Sequence, residues 1–137
     1  MPIFYNKMER GNPGDATAPK RWYPVLKSAG MVKEREVAKL LADETTLNPK
    51  EAEMAVSQLL KVVTNLLLNG NTVQLGSLGS FRVTAATEAS NTKEEVNAAK
   101  IKKINLRFTE SDELKIALKK AKFIDAATMV NQAVRKA

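Results

Sequence analysis

The sequence predicts an α+β fold, with a helical layer under a small antiparallel sheet and a core shared between two copies of the chain. Three observations carry this reading. Between Val32 and Asn69, apolar residues recur at the three- and four-residue spacing of amphipathic helices. Beyond Gly70 the spacing drops to two, as in half-buried strands. The longer of the two helices is apolar around almost its whole circumference, which a thin two-helix layer cannot cover unaided.

The elements follow in order. Ile3-Phe4-Tyr5 is a short extended run, and Gly11-Asn12-Pro13-Gly14 is a strong turn signal. Arg21 to Lys27 is a second strand, which Pro24 restricts to an edge or an end; the two pieces form a hairpin or flank a sheet. Val37, Ala38, Leu40 and Leu41 mark a helix reaching Glu44. After the break at Thr45–Asn48, Asn48 caps a second helix, with Pro49 at its first position and Glu51 three residues past the cap. That helix runs from Lys50 to Asn69 and carries Val56, Leu59, Leu60, Val63 and Leu67 among its apolar residues. Strands are expected at Thr72–Leu75 and Phe81–Thr84, around the glycines at 76 and 79. From Lys102, Ile104, Leu106 and Phe108 alternate with Lys103, Asn105 and Arg107, giving a strand with one apolar and one basic face. Ser111 caps a helix in which Leu114, Ala117, Leu118 and Ala121 face the core, and Ile124 to Val134 is also compatible with helix.

Composition narrows the chemistry. The 137 residues contain no Cys and no His, which removes thiol nucleophiles, imidazole bases, disulfides and the usual zinc ligands. A non-enzymatic protein without cofactor, metal or small-molecule substrate is expected. The N-terminus lacks the continuous apolar core of a secretory leader, and the run Val62–Leu68 is too short to span a bilayer; no membrane partner and a cytoplasmic location are expected. The 22 Lys and Arg against 15 Asp and Glu give a net charge of +7, a balance that favours polyanions. The excess is uneven. Residues 1–30 hold five basic and two acidic side chains, residues 31–75 five and six, and residues 76–108 six and three. The helical first half is therefore near neutral and its flanks are basic.

The order helix, turn, long apolar helix, β-hairpin, returning strand, basic helix resembles the HU/IHF family of bacterial histone-like, DNA-bending proteins. Gly70–Val83 is similar to that family's long-helix terminus and hairpin, with Leu78 in the usual aromatic place. Leu47, Glu51-Ala52, Val63 and Leu67 follow its second-helix spacing, and Phe108, Glu113-Leu114-Lys115 and Leu118 resemble its return strand and last helix. The resemblance covers about Met31 to Lys122, and the leader ahead of it resembles a longer, divergent branch of HU relatives. It implies three regions: an N-terminal extension over 1–30, an HU-like DNA-binding domain over 31–122, and a helical tail over 123–137. It also implies an intertwined homodimer with a protruding β-arm, bound to double-stranded DNA with little sequence preference in the nucleoid.

The residues expected to contact DNA are Arg82, Lys93, Lys100, Lys102, Lys103, Asn105, Arg107, Lys115 and Lys119. Those expected at the subunit interface are Val56, Leu59, Leu60, Val63, Leu67, Phe81 and Phe108. Two departures from the family bear on mechanism. Its arm ends in Arg-Asn-Pro, whose proline wedges into the base stack, whereas residues 82–107 here contain no proline and include Glu88, Glu94 and Glu95. Where the family often has Gly-Lys before the last helix, this chain has Ser111-Asp112, which suits a helix N-terminus but opposes a phosphate there. An HU-fold protein-interaction scaffold that no longer bends DNA is the alternative. Trp22-Tyr23 is read as packing a surface segment and Glu94-Glu95 as an exposed loop pair.

Overall fold

The computed structural model describes residues 2–129. In chain order the elements are β1 (Ile3–Arg10), β2 (Arg21–Lys27), α1 (Glu34–Glu44), α2 (Pro49–Leu68), β3 (Val73–Leu75), β4 (Gly79–Thr87), β5 (Ile101–Glu110), α3 (Asp112–Lys119) and β6 (Phe123–Asp125). They divide into two compact units. One contains the residues up to Met31 and the described residues from Leu118 on; the other spans Val32–Ala117.

The first unit is a three-stranded sheet in the order β2-β1-β6. β1 and β2 form an antiparallel hairpin, one of the two arrangements left open by the sequence, from Phe4 opposite Lys27 to Arg10 opposite Arg21. β2 is an outer strand, consistent with Pro24, which has no N–H to give a second neighbour. β6 joins the other edge of β1 in parallel, with Ile3 opposite Phe123 and Tyr5 opposite Asp125. This corrects the expectation of a helical tail beginning at 123. Phe123 and Ile124 are an aromatic and a β-branched residue, better suited to a pleated surface than to a helix, and the Ile3 N–H donates to the Lys122 carbonyl at 2.7 Å to start the ladder. Residues 126–129 are helical, and the remainder of the expected tail lies outside the described residues. Asp125 accepts from the Ala127 N–H at 3.0 Å and pairs with Lys7 Nζ at 3.2 Å. The Ala127 bond first, and then Lys7, hold its carboxyl below the usual carboxylate range.

In the second unit, α1 and α2 pack through small residues, and Ala38 and Ala52 are fully covered. The N-terminus of α2 is the capping box that the sequence implied: Glu51 N–H donates to Asn48 Oδ1 at 2.9 Å, and Asn48 N–H donates to Glu51 Oε2 at 3.2 Å. Its C-terminus is a Schellman motif. Gly70 at φ +83° donates to the Leu67 carbonyl, and Asn71 N–H to that of Leu66, both at 3.0 Å. The sheet order is β3-β4-β5, antiparallel throughout. Ser111 caps α3 as expected, its Oγ accepting from Leu114 N–H at 3.0 Å. The same hydroxyl donates to the Ser77 carbonyl, and Ser111 N–H donates to that of Leu78 at 3.2 Å, so one residue ties the β3–β4 turn to the start of α3. Two readings of this helix are corrected. It stops at Lys119, so Ala121 lies beyond it and no helix continues through Ile124; and Leu118 is exposed rather than core-facing. Clustered lysines at 119, 120 and 122 suit a helix C-terminus electrostatically.

Gly79 is the tightest point of the sheet. Its φ is +149°, and a Cβ built there would stand 2.3 Å from the Thr109 carbonyl oxygen and 2.9 Å from the Phe108 ring. Gly79→Ala is expected to destabilise the protein by about 3 kcal/mol or more, combining backbone strain of about 1–3 kcal/mol with overpacking of similar size. A lower urea midpoint with an unchanged slope is the expected reading, and a midpoint equal to wild type would contradict it.

Among the described residues, only Ala38, Ala52 and Val73 are buried apolar side chains. Most of the larger apolar residues of α2 stay exposed, including Met54 at 71%, Leu60 at 50% and Leu68 at 78%, while Val56, Val63 and Leu67 are half-buried. No described helix is long and apolar enough to cross a membrane.

Candidate nucleic-acid interface

The register of β4 against β5 sorts their side chains by chemistry. Phe81 stands opposite Phe108, Val83 opposite Leu106 and Ala85 opposite Ile104. The alternating pairs are Arg82 with Arg107, Thr84 with Asn105 and Ala86 with Lys103. Because successive residues of a strand point to opposite faces, the first set forms an apolar face and the second a polar, basic one. On the apolar face the rings of Phe81 and Phe108 lie 4.9 Å apart, tilted by 39°, a geometry in which aromatic pairs attract. Thr64, Leu67 and Leu68 of α2 join Val83, Ile104 and Leu106 around an open groove of about 370 Å³. Ile104 and Leu106 remain 65% and 60% exposed.

The basic face contains a feature that folding alone does not favour. Arg82 and Arg107 are directly opposed across the ladder, and like charges in that position repel. Neither has an acidic partner among the described residues, where the ion pairs are Lys7–Asp125, Arg35–Glu53 and Lys102–Glu88. Thr84 and Asn105 stand one pair along and add hydrogen-bonding groups, with Lys103 beyond them. Two guanidiniums, an ammonium, a hydroxyl and an amide on one face form an array of donors for successive anionic oxygens.

Of the residues expected at this site, Arg82, Lys103, Asn105 and Arg107 are thus brought together on one face. Lys102 is the extra residue at a bulge where the pairing jumps from Ala86–Lys103 to Thr87–Ile101. Its ammonium lies 3.5 Å from the Glu88 carboxylate, with both side chains about half exposed. The ladder ends there, and residues 88–100 contain two single 3₁₀ turns, Lys93–Glu95 and Ala98–Lys100. Glu88 N–H donates to the Lys100 carbonyl at 2.8 Å, closing the base of this loop. Lys93 stands beside Glu94 and Glu95 in the first turn, apart from the basic face. Lys115 and Lys119 lie one turn apart on α3, whose first turn holds Asp112 and Glu113. Sequence reasoning missed Thr84 and the direct opposition of the arginines. Setting Phe81 against Phe108 and counting outward would have found both. Among the described residues, no group of three or more His, Cys, Asp or Glu side chains could hold a metal ion.

A family model described as an HU domain fused to a wHTH, Ig or glycine-rich motif matches residues 1–125. The chain belongs to the HU-HIG family. Two solved structures share the fold. A candidate bacterial DNA-binding protein from Bacteroides vulgatus ATCC 8482 superposes with a TM-score of 0.61 at 13% identity, covering 90% of this HU-HIG chain and 48% of its own. The Anabaena HU–DNA cocrystal structure superposes with a TM-score of 0.51 at 14% identity, covering 64% of this chain and 97% of its own. The chain therefore spans about half the length of the Bacteroides vulgatus relative. No curated protein matches. The Anabaena match covers a share of the chain comparable to the Val32–Ala117 unit, and the HU-HIG match extends through the N-terminal hairpin to β6.

Proposed function

We propose that this HU-HIG chain binds double-stranded DNA as a homodimer, without catalysis or cofactor, holding the duplex by its phosphates on the basic faces of the two β4–β5 sheets. The opposed arginines Arg82 and Arg107 carry the reading. A cross-strand pair that repels itself is relieved when phosphates of the duplex lie against its members. The HU–DNA neighbour supports DNA as the polyanion. The partner subunit is proposed to cover the exposed apolar residues of α2 and the groove beside Ile104 and Leu106. Contacts confined to phosphates give weak sequence preference, with any selectivity arising from DNA shape and deformability. Such binding suits a role in nucleoid organisation.

Arg82, Lys103 and Arg107 from each of two subunits give about six phosphate contacts, hence a log–log salt slope of about −5 and a loss of about a thousandfold in affinity between about 50 and 200 mM salt. Anisotropy titration of a duplex and its scrambled counterpart tests this. Salt-independent affinity, or strong preference for one sequence, would overturn it.

The alternative of a protein-interaction scaffold is favoured by Glu88, which occupies Lys102, and by Glu94 and Glu95 at the loop. It requires no duplex binding even at low salt. A half-exposed ion pair contributes only about 0–1 kcal/mol, so a phosphate can displace Glu88. Glu88→Gln, which frees Lys102 and removes one negative charge, is expected to tighten DNA binding by roughly two- to fivefold, within that range. Weaker binding by this variant would show that the pair positions the loop for DNA.

A further inference from the structure

The first unit repeats, at the loop end of its hairpin, the arrangement found on the β4–β5 sheet. Arg10 and Arg21 form the last pair of the β1–β2 ladder and stand directly opposite one another. Both are exposed, and neither has an acidic partner among the described residues. They border an open pocket of about 450 Å³, lined also by Asn12, Pro13, Pro19 and Tyr23. Tyr23 lies two residues from Arg21 on the same strand face and is 45% exposed.

The loop that walls this pocket is held by its own hydrogen bonds. Asn12 Oδ1 accepts from Gly14 N–H at 3.0 Å, and Asp15 N–H donates to the Asn12 carbonyl at 3.2 Å. Asp15, the acidic residue of that loop, directs Oδ1 onto the Thr17 hydroxyl at 2.6 Å and the Thr17 N–H at 2.9 Å. Its carboxylate is thereby committed to the loop and is not part of the pocket lining. Glu9 is one residue from Arg10 and so points to the other face of the sheet.

Guarding a sheet edge against aggregation accounts for charge along an outer strand. It does not account for two guanidiniums set against each other across a ladder, beside a preformed pocket with an aromatic ring. From this arrangement we infer that the hairpin end is a second phosphate-binding site, separate from the β4–β5 face, in which Arg10 and Arg21 clamp a backbone phosphate of DNA and Tyr23 packs against the adjoining sugar or base. Arginine suits the role because its planar fork meets phosphate oxygens in pairs. The site requires only the residues of the first unit.

The test uses the full chain with ¹⁵N-labelled arginine side chains. A short duplex is expected to shift the Nε–H signals of Arg10 and Arg21, and to do so also in an Arg82→Gln/Arg107→Gln background, which separates this site from the sheet face. Arg10→Gln/Arg21→Gln should weaken duplex binding by roughly 3- to 10-fold and flatten the salt slope by about one for each lost contact. The same variant should melt at or above the wild-type temperature, because a repulsive pair has been removed. Signals that do not move with duplex would overturn the inference. So would signals that move with inorganic phosphate alone, which would assign the pocket to a free anion. A lower melting temperature with unchanged DNA affinity would make the arginines structural and overturn it equally.

Discussion

Val63→Asp, or Leu60→Asp, is expected to leave no folded protein in solution. Only three small or medium apolar side chains are buried among the described residues, and the leucines and valines of α2 are open or half open. A helix of this composition cannot repay the conformational entropy of folding through contacts inside one chain. In the proposed homodimer each carboxylate would stand desolvated and unpaired at the subunit interface, at several kcal/mol apiece and twice per dimer. Set against a total stability of about 5–15 kcal/mol, that is enough to abolish the fold, with aggregation or unfolding the outcome and not a well-behaved monomer. Sedimentation and far-ultraviolet circular dichroism read this directly. A helical, monodisperse monomer from either variant, or from the wild type at micromolar concentration, would refute the shared core.

Arg82→Gln/Arg107→Gln is expected to have the largest effect on DNA. Each dimer loses four cations from the two basic faces, so the salt slope should fall from about −5 to about −2 and the affinity near 0.1 M salt by at least about a hundredfold. The fold should be unharmed or slightly firmer, because the variant replaces a repulsive cross-strand pair with two neutral side chains. Those two responses, weaker binding and equal or higher melting temperature, set a binding role apart from a structural one. A variant that binds like wild type would remove the main support for the sheet face as the interface.

Much of this architecture is legible in the sequence, for reasons that can be named. Asn48, Pro49 and Glu51 announce the start of α2 because capping is a local interaction among neighbouring residues. Alternation of Ile104, Leu106 and Phe108 with Lys103, Asn105 and Arg107 announces β5 and its two faces because the pleat has a fixed period. The first hairpin is one of two arrangements that its turn residues leave open, and Pro24 announces that its second strand lies at an edge. What could not be read depends on residues far apart in the chain. Phe123-Ile124-Asp125 carries no local sign that it will pair with Ile3-Phe4-Tyr5, and a helical reading of three such residues is equally compatible with periodicity. The Lys102–Glu88 pair lies where a bulge shifts the register by one residue, and the opposition of Arg82 to Arg107 follows only once Phe81 is set against Phe108, a pairing that no single strand reveals.

The parallel pairing of β6 with β1 also sets a timetable for synthesis. At about 5–20 residues per second, β1 emerges from the ribosome roughly 6–24 s before its third strand exists. During that interval the β1–β2 hairpin can close, while the Ile3-Phe4-Tyr5 edge waits without its neighbour and the whole Val32–Ala117 unit is made. The β2-β1-β6 sheet is therefore begun before the Val32–Ala117 unit and completed after it, with an open strand edge in the nascent chain until Phe123–Asp125 arrives to close it.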